Sequence, residues 1–394
     1  MKFLRTLPIG HGEQILDSLD DLADIVAGVG DARLPVPADD PAETARLTQA
    51  LAPGTPIDDR TALVMATSGT TGVPKGAMLT ADALAASADA THAYLGGAGN
   101  WLLALPAHHI AGMQVLLRAI RAGHTPHVID VSAGFDPEAL VEAVAAMDAP
   151  RRYTSLVPTQ LHKVLDSPAA TDALRQFDAV LVGGAATPAA LHARAQRAGI
   201  RLTRTYGMSE TCGGCVYDGT PLRDTIIRID DPDADGVGRV LLGGPTVALG
   251  YRGHPDHPAF AEPGFFTTDD LGVFGDGVLS IVGRADEAIS SGGLTVIPQV
   301  VEAAILADER IADAAVFGMP DERLGERVVA AVVAGDIAAD LVEQAVKQAV
   351  GARLDRYAVP REVFVVHALP RRGPGKIDRR TLREKLSDRG RAQA

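Results

Sequence analysis

The chain has 394 residues, 46% apolar and 22% charged, the balance of an ordinary globular protein and not of a disordered chain, a collagen or a coiled coil. Its 37 Lys and Arg against 50 Asp and Glu leave a formal charge of −13, which repels nucleic acid and anionic lipid, so any bound phosphate must meet a local site. Two cysteines exclude a disulfide framework, and no apolar run reaches the ~18–20 residues that cross a bilayer. The opening MKFLRTLPIGHGEQ has no signal-peptide core. The expectation is a cytoplasmic protein with no nucleic-acid partner and no membrane insertion.

Residues 1–60 carry the weakest patterns: an acidic helix, DSLDDLADIVAG, a loop rich in Pro and Asp, LPVPADDPAET, and a short helix, ARLTQAL. From Thr61 the run TALVMAT predicts a buried strand that feeds a loop, SGTTGVPKGAML. WLLALP, HVIDV, YTSLVP, AVLVGGA and IRLTRTYG then read as strands, and FDPEALVEAVAAM as a helix capped by Asp136 with Pro137 at its first position. Strands alternating with helices predict crossover units and parallel sheet. Between Thr225 and Val282, short strands between Gly, Pro and Asp turns predict a small antiparallel β region. GRADEAISSGG follows as a polar connector. Beyond it, AAVFGMP, RVVAAVVAG and REVFVVHALP predict strands. DLVEQAVKQAVGARL predicts a helix with one apolar stripe, Leu341, Val342, Ala345, Val346, Ala349 and Val350. The patterns predict an α/β fold class: a large N-terminal domain (1–283) with mixed and parallel sheets flanked by helices plus a small β region, a boundary at 284–286, and a small α+β C-terminal domain (287–394).

The loop Thr67-Ser68-Gly69-Thr70-Thr71-Gly72-Val73-Pro74-Lys75-Gly76 has the chemistry of a phosphate cradle. Its glycines let backbone N–H groups converge on an anion, its hydroxyls add donors, and Lys75 brings a mobile positive charge. It is not a Walker A loop, because Pro74 precedes the lysine and Gly76 follows it.

This string resembles the signature of the adenylate-forming superfamily of acyl-CoA synthetases, luciferases and peptide-synthetase adenylation domains. PAHHIAGM (106–113), GGAAT (183–187), YGMSET (206–211), TTDDLG (267–272), GRADEAISSGG (283–293) and GPGKIDRR (373–380) stand downstream in that family's order. The resemblance implies two half-reactions at one site. A carboxylate attacks the α-phosphorus of ATP to give an acyl-adenylate and pyrophosphate, and a thiol, usually of CoA, then displaces AMP. It implies ATP/AMP binding by Thr67, Ser68, Gly69, Thr70, Thr71, Gly72 and Lys75, by Gly183, Gly184 and Ala185, and by Tyr206, Gly207, Met208 and Ser209. Asp270 and Arg284 would hold the ribose, with Asp269 an alternative left open by the unusual Asp pair. Glu210 would help hold Mg²⁺, a hard cation content with one carboxylate and several waters. Lys376 would enter for adenylation, Asp286 would be the hinge, and His109 would gate the acyl pocket beside Gly213 and Gly214. Gly292 and Gly293 would let CoA approach.

Cys212 and Cys215 form a C-x-x-C pair with no second pair and no spaced histidine, so they read as small wall residues and no zinc is expected. TYGMSETCGGCVYDGT (205–220) and the short segment before the phosphate loop resemble short bacterial o-succinylbenzoate–CoA ligases of menaquinone biosynthesis. That resemblance implies ATP, CoA and an aromatic or short carboxylic acid as partners, with a homodimer left open, and an acyl pocket with a donor for a second acid group. A CoA ligase for another aryl or short acyl acid, or a non-catalytic binding protein of the same fold, are the alternatives. A peptide-synthetase adenylation domain is disfavoured because no carrier segment follows residue 394.

Overall fold

The computed structural model describes residues 1–67, 73–148, 150–372 and 376–392. Its first sheet joins β1 (Lys2–Ile9), β2 (Ala32–Pro37), β3 (Pro56–Ile57), β4 (Thr61–Thr67) and β5 (Lys75–Thr80) in the order β3-β1-β2-β4-β5. The three inner strands run parallel and the two edges antiparallel. Helices α1 (Leu19–Ala27) and α2 (Pro41–Leu51) connect them, and α3 (Ala81–Tyr94) follows β5. Asp40 caps α2 by accepting from Glu43 N–H, with Pro41 in the first turn. Two expectations are corrected here. Leu34–Pro37, expected in a loop, belong to β2, and Lys75–Thr80, expected in the glycine loop, form β5.

The second sheet takes β6 (Asn100–Leu103), β7 (His127–Val128), β8 (Arg152–Leu156), β9 (Ala179–Val182), β10 (Leu202–Met208), β11 (Gly213–Tyr217) and β12 (Thr220–Pro221) in the order β12-β11-β10-β9-β8-β6-β7. It is parallel from β7 to β10, as the alternating pattern predicts, and antiparallel beyond. HVIDV shrinks to a two-residue strand. Its crossovers carry α4 (Ile110–Arg121), α5 (Pro137–Ala146), α6 (Pro158–Asp166), α7 (Pro168–Leu174) and α8 (Ala189–Arg197). Side chains alternate between two cores, as period two requires. Trp101, Leu103, Ala179 and Leu181 face the first sheet, α1, α3 and α4. Leu102, Val180 and Val182 face α5 to α8. Full burial of each large aliphatic side chain stabilises by ~1.5–3 kcal/mol.

Four antiparallel strands follow, β13 (Ile226–Asp230), β14 (Gly238–Gly243), β15 (Phe265–Gly275) and β16 (Val278–Arg284), the expected small β region. A C-terminal α+β unit then combines β17 (Ile289–Ser291), β18 (Leu294–Val296), β19 (Ile311–Asp321), β20 (Gly325–Ala334) and β21 (Glu362–Val365) in one sheet. Helices α9 (Pro298–Ile305) and α10 (Val342–Gly351) pack on one face and α11 (Arg379–Ala392) on the other. The short pair β22 (Arg371–Arg372) and β23 (Lys376–Ile377) precedes α11. The connector at 283–293 is less loop-like than its composition predicts, since Ile289 is fully buried in β17. Leu341, expected on the buried stripe of α10, is 48% exposed because it sits in the 3₁₀ turn before the helix.

Candidate active site

Two groups of predicted site residues lie at the C-terminal ends of parallel strands, where an open α/β sheet offers a crevice. Gly183, Gly184 and Ala185 follow β9, and Tyr206, Gly207 and Met208 end β10. Gly207 has φ +155°, and a Cβ there would stand 2.1 Å from the Gly213 carbonyl oxygen, so only glycine lets β10 and β11 approach this closely. Thr67 and Lys75 face each other across β4 and β5. Ser68, Gly69, Thr70, Thr71 and Gly72 lie outside the described residues.

Asp270 on β15 stands opposite Arg284 on β16. Tyr206 donates its hydroxyl to Asp270 Oδ2 at 2.7 Å, and Arg284 reaches Oδ1 at 3.2 Å. Asp270 is buried, and burial raises its carboxyl pKa against the Tyr206 hydrogen bond and the fields of Arg284 and Lys376. Asp269 points outward and meets Arg239 and Arg284 at 3.6 and 3.4 Å. Arg284 also bridges both oxygens of Asp286 at 2.9 Å. Burial alone would lower the Arg284 pKa, but the Asp286 hydrogen bond and the Asp270, Asp286 and Asp269 charges together raise it.

Glu210 sits in the 3₁₀ turn after β10, 6% exposed. Its Oε1 accepts from Tyr251 at 2.6 Å, and Glu210 has no ion-pair partner among the described residues. Burial raises its pKa, while the Tyr251 hydrogen bond and the charges of Lys376 and Lys75 lower it. A buried acid with a hydroxyl partner and no resident cation fits a carboxylate that shares a divalent cation with phosphate oxygens and water. Tyr251 is held by strand-like pairing of 249–252 with β5. Its ring lies 4.8 Å below Lys75 Nζ, and Lys75 Nζ lies 3.1 Å from His257 Nε2. Neither Tyr251 nor His257 belongs to a motif; each gains its place only through contacts 41 and 182 residues apart.

His109 is the N-cap of α4, its ring 4.3 Å from that of His108. Burial first, then His108, holds its pKa down to about 4, so the ring is neutral at pH 7. Every residue of α4 from Gly112 to Ala119 is buried, as an apolar helix between two sheets must be. Ile110, Gln114 and Arg118 recur every four residues and so line one face. Ile110 and Gln114 border Gly213, whose added Cβ would meet Gln114 Cγ at 3.4 Å. Gln114 donates to the Cys212 carbonyl at 2.8 Å, but its Oε1 is buried without a partner. Arg118 is 3% exposed, stacks 5.3 Å over Trp101 and reaches Tyr217 at 3.4 Å, while its Nε has no partner. No carboxylate pairs with Arg118 among the described residues. The one arginine in IAGMQVLLRAI is the sequence signal for this group.

Cys212 and Cys215 are buried free thiols. Burial pushes Cys215 up to about 12 and Cys212 higher still, so neither is a thiolate at neutral pH. Replacing both with Ser is expected to change turnover less than about threefold, because a buried neutral thiol supplies neither nucleophile nor metal ligand and Ser keeps its size. Steady-state turnover checks this; a fall beyond tenfold would make the pair functional.

Lys376 on β23 faces this region: its charge depresses His109, Glu210 and Asp270 alike. Gly292 lies in the turn between β17 and β18 with φ +62° and lines a cleft of about 570 Å³ with Lys347, Arg356, Tyr357 and Arg361; Gly293 follows it in the same turn with φ +79°.

Residues 13–252 match the AMP-binding enzyme family, and residues 300–376 match the AMP-binding enzyme C-terminal domain. The chain belongs to the AMP-binding enzyme family. It is 50% identical over 382 residues, 96% of its own length and 97% of the relative's, to a probable 2-succinylbenzoate–CoA ligase of Mycobacterium tuberculosis strain H37Rv. It is 31% identical over 83% of its length to the 2-succinylbenzoate–CoA ligase of Geobacillus sp. strain WCH70, covering 69% of that chain. Among solved structures it resembles ATP-bound MatB of Rhodopseudomonas palustris, with TM-score 0.84 and 24% identity over 98% of this chain and 90% of that one. It also resembles the Bacillus subtilis o-succinylbenzoate CoA synthetase in complex with the acyl-adenylate intermediate, with TM-score 0.71 and 25% identity over 94% and 81%. This AMP-binding enzyme therefore has the large N-terminal and small C-terminal domains of that architecture. No helix among the described residues is long and apolar enough to cross a membrane.

Proposed function

We propose that this AMP-binding enzyme is an ATP-dependent 2-succinylbenzoate–CoA ligase. The reading is supported by the grouping of Lys75, Tyr251 and Glu210, with Lys376, 301 positions from Lys75, close enough for its charge to pull the Glu210 pKa down. In the first step, a carboxylate oxygen of the acid bonds to the α-phosphorus of ATP and the bond to pyrophosphate breaks. Asp270 would accept from the ribose hydroxyls, with Arg284 fixing its orientation, and the outward-facing Asp269 supports that assignment. Tyr206 would flank the adenine, Ser209 would donate to the α-phosphate, and Gly183, Gly184 and Ala185 would line the nucleotide pocket. Thr67, Lys75 and the 68–72 loop would hold the outer phosphates. Glu210 would hold Mg²⁺, which neutralises triphosphate charge when bound. Lys376 would stabilise the charge that builds between acid and α-phosphate. In the second step the CoA sulfur attacks the acyl carbon and AMP departs. Gly292 and Gly293 would let the pantetheine arm approach, and the basic cleft beside Gly292 suits the phosphates of CoA. Rotation of the C-terminal unit about 284–286, with Asp286 as the pivot, would exchange the two steps.

The acid is supported by the relatives' names and by the pocket wall. 2-Succinylbenzoate has a reacting aliphatic carboxylate and a second one on its ring. The buried, uncompensated Arg118, next along α4 from Gln114 and Gly213, supplies a donor for that second charge. Neutral His109 would border the apolar ring. A second reading, a CoA ligase for another aryl acid, is favoured by 31% identity over 83% of this chain to feruloyl-CoA synthase of Amycolatopsis sp.. An AMP-release assay with ATP, Mg²⁺ and CoA across a panel of acids tests both. Turnover is expected to be at least tenfold faster with 2-succinylbenzoate than with ferulate. The reverse order would select the second reading, and no release with any acid would refute both.

A further inference from the structure

The contact between Lys75 Nζ and His257 Nε2, at 3.1 Å, has no consistent hydrogen-bond description on its own. His257 is the N-cap of the short turn 258–260, and its Nδ1 accepts from the Ala259 N–H at 3.2 Å. An imidazole nitrogen that accepts carries no hydrogen, so the neutral ring bears its proton on Nε2. This tautomer is assigned from those partners. An ammonium has three donors and no acceptor. Two donors therefore face each other, and among the described residues no carboxylate pairs with either. The ring is not free to turn away. It packs edge-on against Tyr251, with centroids 4.7 Å apart, and Tyr251 is itself fixed by Glu210 and lies beneath Lys75.

Two donors 3.1 Å apart are satisfied by an acceptor that enters beside them and takes a hydrogen from each. Building on the proposed function, we propose that His257 is a phosphate-binding residue, its Nε2–H and Lys75 Nζ together gripping an oxygen of the outer phosphates of ATP and of the pyrophosphate that leaves. The row Glu210, Tyr251, Lys75 and His257 then runs from the cation-holding carboxylate to the far end of the triphosphate. Tyr251 acts in this row as a positioning residue, tying the carboxylate to the phosphate donors. A hydrogen bond to a charged acceptor of this kind corresponds to about tenfold in affinity, about 1.4 kcal/mol.

The test separates this role from capping. His257→Ala removes donor and cap; His257→Ser keeps a cap acceptor and removes the far donor; His257→Gln offers an amide donor. Calorimetric titration of the full chain with Mg²⁺–pyrophosphate and Mg²⁺–ATP is expected to show about tenfold weaker binding for both Ala and Ser variants, with partial recovery for Gln. AMP binding and thioester formation from supplied acyl-AMP are expected to stay within twofold. A Ser variant that binds pyrophosphate like the native chain would overturn the proposal and leave His257 a cap only. A native chain that binds neither ATP nor pyrophosphate would overturn the proposed function, and this inference with it.

Discussion

Lys376→Ala is expected to lower ATP–pyrophosphate exchange by ~10²–10³-fold, the cost of removing one preorganised donor from a site of developing charge. The same variant is expected to convert supplied acyl-AMP and CoA to thioester at close to the native rate. The reason is geometric. Lys376 biases Glu210, Asp270 and His109 from β23, on the C-terminal unit, whereas the glycine turn at Gly292 and Gly293 belongs to another edge of that unit. In the proposed mechanism, a rotation that brings one to the acyl carbon would withdraw the other. Separate measurement of the two half-reactions decides it, and equal losses in both would contradict the assignment.

Arg118→Met should cost ~10²–10⁴-fold in kcat/KM for 2-succinylbenzoate, since stranding a buried charge without its partner costs ~3–5 kcal/mol. The loss should vanish for 4-oxo-4-phenylbutanoate, the same acid without its ring carboxylate. The stability of the free enzyme should move the other way. Arg118 is 3% exposed with an unpartnered Nε, so a side chain of similar length without charge relieves a desolvation penalty and should hold Tm or raise it. Parallel kinetics on the two acids with a melting curve checks this. A lower Tm with equal losses for both acids would reduce Arg118 to a structural role held by Trp101 and Tyr217.

Much of this was legible in the residues. The parallel sheet followed from apolar runs alternating with capped helices, and Asp136 and Pro137 begin α5 where they were expected. The first 60 residues were not legible, because their strands hide their pattern. β1 exposes Arg5 and Thr6 between buried positions, and β2 ends in Pro35 and Pro37. Those prolines are tolerated because the pairing of β2 with β4 is confined to Arg33 and Leu63, so no continuous ladder on that side needs their N–H groups. Tyr206, Asp270 and Arg284 meet through hydrogen bonds, and Glu210 meets Tyr251. Tyr251, His257 and Gln114 carry no local signature, and Arg118 carries only that of a lone charge in an apolar helix. Their significance arises from which distant atoms they meet, and a one-dimensional pattern does not contain that.

Arg284 divides one guanidinium among Asp270, Asp269 and Asp286. Any backbone turn at Asp286 must slacken its share, and the freed valence passes to the pair of acids upstream. In the proposed mechanism, sugar grip and lobe travel would thus draw on a common charge, so a nucleotide that tightened its hold would also loosen the pivot.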